Sequence, residues 1–172
     1  MHSFNRAFMI SGTFLLVLVA ANAAPAQTFD TLASFDATYG NNLRTMSLAQ
    51  GPDGNLYGTT FNGGAYGYGS VFKIALTGVL TTLHSFDISD GEYPMSALTL
   101  NADGDFYGTT SEGGANGYGT AFKTTPAGVV TTLCSFGSTN AYPVGALVRV
   151  ADGNFMERRK AVAPATTARF SR

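Results

Sequence analysis

The residues able to do acid–base, nucleophilic or metal chemistry are few in this chain. It contains two histidines and one cysteine, namely His2, His84 and Cys134. The sequence shows no histidines at metal-binding spacing, no nucleophile-elbow motif and no recognisable pair of catalytic carboxylates. We expect His84 and Cys134 to serve packing, and a lone cysteine cannot form an intramolecular disulfide. The sequence therefore predicts a non-enzymatic protein without a metal or other cofactor.

Three aspartates, Asp53, Asp103 and Asp152, each stand directly before a glycine. Aspartate in a hairpin turn hydrogen-bonds its own backbone, so a structural role is favoured over metal binding. The glycine-rich loops that follow the first two lack the acidic residues of calcium-binding repeats and the lysine of a phosphate loop.

The candidate ligand-binding residues are tyrosines in or beside the long loops. Exposed tyrosines next to flexible glycines suit recognition of a carbohydrate or a peptide. The alternative is that these rings pack between neighbouring repeats. The five candidates are Tyr66, Tyr68, Tyr93, Tyr118 and Tyr142.

A duplicated stretch must position these residues. Residues 53–73 read DGNLYGTTFNGGAYGYGSVFK and residues 103–123 read DGDFYGTTSEGGANGYGTAFK, with fourteen of twenty-one positions identical at an offset of fifty. A third copy begins with DGNF at Asp152 and stops at residue 155. We assign complete units to about residues 43–86 and 93–136 and a partial third to 142–155, because a fixed period of this length indicates a repeat architecture.

Each unit contains four short segments rich in β-branched and aromatic residues, separated by turn signals. In the second unit the predicted strands are residues 96–101, 105–111, 120–125 and 129–136. Residues 29–35 (FDTLASF) match the fourth strand alone, since the later copies read LTTLHSF and VTTLCSF. The chain is thus predicted to be all-β.

The four-stranded antiparallel unit is typical of a β-propeller blade, and we predict an incomplete propeller. A β-solenoid is the alternative, because it also stacks a short repeated unit. In a meander the short turns share one edge and the long loops the other, so the five tyrosines should cluster on the long-loop side. A closed propeller needs at least about four blades. We therefore expect self-association through open blade edges, or a longer intact protein.

Residues 1–26 have the pattern of a secretory signal peptide. Arg6 precedes the apolar run FLLVLVAA, which is shorter than the roughly 20 residues of a spanning helix and is followed by small residues. We expect cleavage after Ala26, no transmembrane segment thereafter, and a secreted, periplasmic or surface location. Residues 27–155 carry ten acidic and four basic side chains, which argues against a nucleic-acid partner.

The chain resembles the GloVer tandem-repeat family through LYGTT…GGAYGYGSVFKI, TTLHSFD and GEYP…ALTLNADGDFYGTT over residues 29–155. The resemblance implies an exported bacterial repeat protein, propeller-like in fold, with a variable C-terminal anchor and no assigned catalytic residues. This chain departs from the pattern in having two complete units and no recognisable anchor.

The repeat breaks after Phe155, where a basic tail, residues 156–172, replaces the expected Tyr-Gly-Thr-Thr. Suitable codons for this tail, read with one T placed in front, encode YGTTEGGGASDNGTVFK, which is the missing repeat through its third strand. We therefore expect that the tail is out-of-frame translation and that the chain is a truncated fragment. A genuine divergent tail is the alternative.

Three functions follow from these observations. The leading prediction is an exported, non-enzymatic binding scaffold at the cell surface or outside the cell. The second is a small carbohydrate-binding lectin completed by oligomerisation. The third is the remnant of a propeller hydrolase whose catalytic residues lie elsewhere.

Overall fold

The computed structural model describes residues 31–35, 47–140, 142–143, 145–149, 155–157 and 168–170. All of them lie within the unit Thr31–Arg172. The predicted signal peptide, Asp152 and most of the tail lie outside the described residues.

The described part of the chain is built from short strands and a single turn of 3-10 helix, Ser138–Asn140. The predicted all-β class is confirmed. The strands are β1 (Ala49–Gln50), β2 (Leu56–Thr60), β3 (Ser70–Ile74), β4 (Leu80–Ser85), β5 (Glu92–Pro94), β6 (Thr99–Leu100), β7 (Phe106–Glu112), β8 (Thr120–Thr124), β9 (Val130–Ser135), β10 (Leu147–Arg149), β11 (Phe155–Glu157) and β12 (Ala168–Phe170).

These strands form three antiparallel sheets, one for each complete unit of the repeat and a third whose strands β11 and β12 extend into the tail. The first sheet has the order β1-β2-β3-β4. The second has the order β5-β7-β8-β9, with β6 also paired to β7, and the third has the order β10-β11-β12. Closure of such sheets into a propeller stays a prediction.

The first two sheets repeat each other in register as well as in order. Tyr57 lies opposite Lys73 in the first, and Tyr107 lies opposite Lys123 in the second. Both contain an irregularity at the same place in the third strand, after Val71 and after Ala121. The sequence offset of fifty is therefore also a structural repeat.

The first strand of the second unit differs from the prediction of one strand over residues 96–101. It is split into β5 and β6, and residues 95–98 are not in a strand. The Ser96 hydroxyl accepts a hydrogen bond of 2.9 Å from the backbone N–H of Thr109. A side chain thus takes the place of a ladder bond at this point, and the strand is interrupted.

Residues 31–35 were expected to resemble the fourth strand, but they are not in a strand in the structure. The first sheet already has β4 as its fourth strand. A strand requires a hydrogen-bonded neighbour, and none of the described residues provides one for this segment. The resemblance is therefore one of sequence and packing rather than of ladder pairing.

The main hydrophobic core lies between the first and second sheets. The rings of Tyr57 and Phe106 are 4.4 Å apart, and those of Phe86 and Phe122 are 5.0 Å apart. A smaller cluster joins Tyr107 of the second sheet to Leu147 of the third. Successive sheets therefore pack face to face, and the central strands are buried on both sides. The core residues are Tyr57, Val71, Phe86, Leu98, Phe106 and Phe122.

Two pairs of buried hydroxyls in these central strands are hydrogen-bonded across the ladder. Thr60 and Ser70 are opposite each other and their side-chain oxygens are 2.9 Å apart. Thr110 and Thr120 repeat this arrangement at the same distance. A buried polar group without a partner is costly, so the pairing explains how these four residues occupy the interior.

Candidate ligand-binding face

The long loops lie together along one edge of the sheets. The Tyr93 N–H donates to the Tyr68 carbonyl at 2.8 Å, and the Gly114 N–H donates to the Ile88 carbonyl at 2.7 Å. The Tyr142 N–H donates to the Tyr118 carbonyl at 3.3 Å. We call this surface the long-loop edge. It consists of residues 61–69, 86–94, 112–119 and 142–143.

Four of the five candidate tyrosines form two repeated pairs on the long-loop edge. The ring centroids of Tyr68 and Tyr93 are 5.9 Å apart at an interplanar angle of 80°. Those of Tyr118 and Tyr142 are 6.3 Å apart at 86°. Each pair joins the glycine-rich loop of one unit to the link that follows it. The structure thus brings these four residues together in edge-to-face geometry.

The candidates differ in how much of the ring reaches solvent. Tyr66 is 62% exposed and Tyr142 is 53% exposed. Tyr68, Tyr93 and Tyr118 are half-buried. The last three fit the alternative that the rings pack between repeats, whereas Tyr66 and Tyr142 present aromatic surface that a ligand can reach.

Two of the tyrosines have an unusual backbone conformation. Tyr93 has φ of 55° and Tyr142 has φ of 59°. Among the described residues, they are the two residues other than glycine that have a positive φ. Such a conformation costs about 1–2 kcal/mol for a residue with a Cβ. Proline follows each of them, and Pro94 and Pro143 lie close to the glycines that end the two loops. Strain repeated at equivalent positions is typical of functional sites.

An acidic pair beside Tyr93 was missed by the sequence reasoning. Glu92 of β5 and Glu112 of β7 are cross-strand partners. Burial, together with the charge of Glu112, raises the pKa of Glu92. The pKa of Tyr93 is also raised, by burial first and then by these two carboxylates. The predicted strands covered residues 96–101 and 105–111, so both glutamates lay outside them and no pattern in the sequence paired them.

The link between the first two units is fixed by its own polar side chains. The Asp90 carboxylate lies 2.7 Å from Nε2 of His84 and also accepts the N–H of Asp87 at 2.9 Å. Asp87 in turn accepts the N–H of Ser89 at 2.8 Å. The ring of His84 packs edge-on against Phe86 at 5.1 Å. His84 thus holds the link in place at the base of the long-loop edge.

The repeated aspartates lie on the opposite edge, where the short turns are. Asp53 accepts a hydrogen bond from the Tyr57 hydroxyl at 2.8 Å, and Asp103 accepts one from Tyr107 at 2.9 Å. Both also accept the N–H of the residue two positions on. The bond from Tyr57 is the main cause that lowers the pKa of Asp53. These contacts support the structural role predicted for the two aspartates.

The remaining chemistry-bearing residues are dispersed. Within the described ranges, no group of three or more His, Cys, Asp or Glu side chains is placed to hold a metal ion. Cys134 is half-buried in β9. No helix in the described part of the chain is both long enough and apolar enough to cross a membrane.

The fold and the repeated edge define an all-β tandem-repeat protein. A family model described as the Gloeobacter/Verrucomicrobia repeat matches residues 18–157. The chain belongs to this family, and the GloVer resemblance is confirmed. A search of curated proteins found no match.

Proposed function

We propose that this chain is an exported, non-enzymatic binding scaffold that holds its ligand on the long-loop edge. The observation that carries the proposal is the repeated tyrosine geometry, in which Tyr93 and Tyr142 keep a left-handed backbone at equivalent positions. Packing alone does not require this strain, because glycine or asparagine adopts the same conformation at less cost. The signal-peptide pattern of residues 1–26 supports export.

The ligand class that the edge favours is a neutral carbohydrate. Tyr66 and Tyr142 offer exposed aromatic faces that can pack on the apolar face of a sugar ring. Glu92 and Glu112 offer carboxylate oxygens that accept hydrogen bonds from hydroxyls and repel anions. The same edge carries no lysine or arginine within residues 61–69, 86–94 or 112–119, so anionic ligands are disfavoured.

The test uses the chain from residue 27 onward and follows its tyrosine fluorescence. The protein has eight tyrosines and no tryptophan, and five of the eight belong to the proposed site. The probes are cellohexaose, laminarihexaose and chitohexaose, with a proline-rich decapeptide as the comparison ligand. We expect one of the saccharides to change the emission in a saturable way.

The variants Tyr66→Ala and Tyr142→Ala should each weaken saccharide binding about tenfold, which is about 1.4 kcal/mol. The matched control is Val79→Ala, since Val79 is 60% exposed on the short-turn edge and should bind like the parent. Equal binding by all three variants would overturn the proposed face. Binding of the decapeptide alone would overturn the carbohydrate class.

The non-enzymatic part of the proposal is tested separately, because the Glu92–Glu112 pair is a pair of carboxylates of the kind that some hydrolases use. The saccharides are incubated with the parent chain and with Glu92→Gln, and the products are separated by mass. We expect no cleavage by either protein. Cleavage that Glu92→Gln abolishes would show an enzyme instead of a scaffold.

A further inference from the structure

Residues 31–35 sit on the first sheet in the way that β4 sits on the second. Gly78 faces the carbonyl oxygen of Leu32, which lies 2.7 Å from where a Cβ would be. Gly128 faces the carbonyl oxygen of Leu83 at the same distance. Both glycines have positive φ, 86° and 90°, in the turn between the third and fourth strands. Leu32 and Leu83 are equivalent positions in FDTLASF and LTTLHSF.

A ring contact repeats the same relationship. Phe35 packs edge-on against Phe72 at 4.8 Å and 69°. Phe86 packs edge-on against Phe122 at 5.0 Å and 66°. Two independent contacts therefore show that the segment occupies the place of a preceding unit's fourth strand, although none of the described residues pairs with it as a strand.

The third sheet has the complementary feature. Its order β10-β11-β12 matches the first three strands of the earlier sheets. Leu147 packs against Tyr107 in the second small core, as Leu98 packs in the main core with Tyr57. The described residues supply no fourth strand beside β12. Among the described residues, the segment 31–35 thus occupies a fourth-strand position without a sheet of its own, and the third sheet has three strands without a fourth.

The outer face of the second sheet carries an apolar residue that the third sheet leaves exposed. Leu133 of β9 is 43% exposed, whereas its equivalent Leu83 is half-buried against the Gly128 turn of the next unit. A completed third sheet would bring its own turn between third and fourth strands to Leu133. An apolar side chain at a repeated contact position therefore lacks the cover that its counterpart has.

We propose that residues 31–35 form the fourth strand of the third sheet of a second copy of this chain. The two copies then join head to tail, and each completes the last sheet of the other. The described residues form three sheets, so two copies present six, a number within the four to eight blades of typical propellers. Such a head-to-tail contact forms a closed ring when the rotation that relates one copy to the next brings the last copy back to the first. The proposal does not depend on ligand binding.

The strand register identifies a pair of residues across this junction. In the first sheet, Phe72 of β3 lies opposite Gly58 on one side and Thr82 on the other. Ala168 of β12 lies opposite Glu157 of β11. Glu157 occupies the position of Gly58 in the repeat, so Ala168 occupies that of Phe72. Thr31 occupies the position of Thr82. Thr31 of one copy should therefore lie beside Ala168 of the other.

The experiment combines mass with a cross-link. The chain from residue 27, carrying Cys134→Ser, Thr31→Cys and Ala168→Cys, is oxidised and run on a denaturing gel without reductant. We expect covalent dimers that reductant separates into single chains. The matched control carries Arg169→Cys in place of Ala168→Cys. Successive residues of a strand alternate between its two faces, so this control should cross-link far less.

The mass of the unmodified chain in solution tests the proposal even if a cysteine variant fails to fold. Light scattering behind a sizing column should give twice the chain mass, and removal of residues 27–35 should give the mass of one chain. A monomeric parent chain would overturn the proposal. So would a cross-link between Thr31→Cys and Ala168→Cys that forms within single chains.

Discussion

The hydroxyl of Tyr57 donates a hydrogen bond of 2.8 Å to Oδ2 of Asp53, four residues earlier and across a tight turn. Tyr107 and Asp103 repeat the contact at 2.9 Å. The tyrosine rings belong to the cores between successive sheets, so the bond ties each short turn to the packing of the next unit. This contact accounts for the pairing of Asp-Gly with a tyrosine in both complete copies of the repeat.

The first prediction concerns alkaline stability. Burial and the bond to Asp53 raise the pKa of Tyr57 to about 12. A folded-state pKa above the unfolded value of about 10 stabilises the fold fully below pH 10. That contribution is lost as the pH rises towards 12. The free energy of unfolding should therefore fall between these pH values, by at most about 1.4 kcal/mol per pH unit for this group.

The variant Tyr57→Phe should show a shallower decline than the parent over the same range. Urea unfolding at pH 8, 10 and 11 measures it, with Tyr66→Phe as the control because that side chain is 62% exposed. Parallel curves for the parent and Tyr57→Phe would show that the phenol proton is not linked to folding.

The second prediction concerns a glycine opposite an aromatic ring. Gly108 of β7 pairs directly with Phe122 of β8, and a Cβ on Gly108 would lie 2.7 Å from Cζ of that ring. Gly108→Ala should therefore destabilise the fold by about 1–3 kcal/mol through overpacking. Phe122→Leu in the same chain should relieve the clash, so the double variant should lose about 1 kcal/mol less than the sum of the single losses.

Urea unfolding of the parent, both single variants and the double variant gives the coupling energy. Phe72→Leu combined with Gly108→Ala is the control, since Phe72 lies in the first sheet and not opposite Gly108. Additive losses in the first pair would contradict the proposed contact.

The third prediction separates strain from binding at Tyr142. Asparagine tolerates a positive φ, whereas a β-branched residue does not. Tyr142→Asn should therefore be more stable than Tyr142→Val by about 1 kcal/mol, although both lose the ring contact with Tyr118 equally. Thermal unfolding measures this difference, and both variants should bind saccharide weakly. Equal stability of the two variants would show that the φ of 59° is not a source of strain.

The sequence predicted the hairpins well and the irregular parts less well. Asp-Gly and Ala-Gly pairs with alternating apolar residues were sufficient to locate β7, β8 and β9 within one residue at each end. The break between β5 and β6 depends on a side chain, Ser96, that replaces a backbone acceptor, and no local pattern signals such a replacement.

The site was predicted in the same uneven way. The five tyrosines were identified because they lie in or beside the long loops. Their pairing, and the backbone strain at Tyr93 and Tyr142, depend on contacts between one unit's loop and the next unit's link. Those contacts join residues about twenty-five positions apart, so spacing within one loop could not reveal them.

The fourth prediction concerns the tail. Replacing residues 156–172 with YGTTEGGGASDNGTVFK restores a tyrosine four residues after Asp152, the spacing at which Tyr107 bonds Asp103. We expect a higher unfolding temperature, because the third sheet then gains the polar contact and strand sequence of the earlier units. The control carries the same seventeen residues in scrambled order. An equal gain from the scrambled tail would contradict the frameshift hypothesis.

Amide chemical shifts can show residue by residue whether the long-loop edge is the binding face. The chain from residue 27, labelled with ¹⁵N, is titrated with cellohexaose, laminarihexaose and chitohexaose in turn. We expect the shift changes to concentrate in residues 61–69, 86–94, 112–119 and 142–143, and to spare residues 52–54, 77–79 and 103–104. Changes confined to the short-turn edge, or no changes with any of the three saccharides, would contradict it.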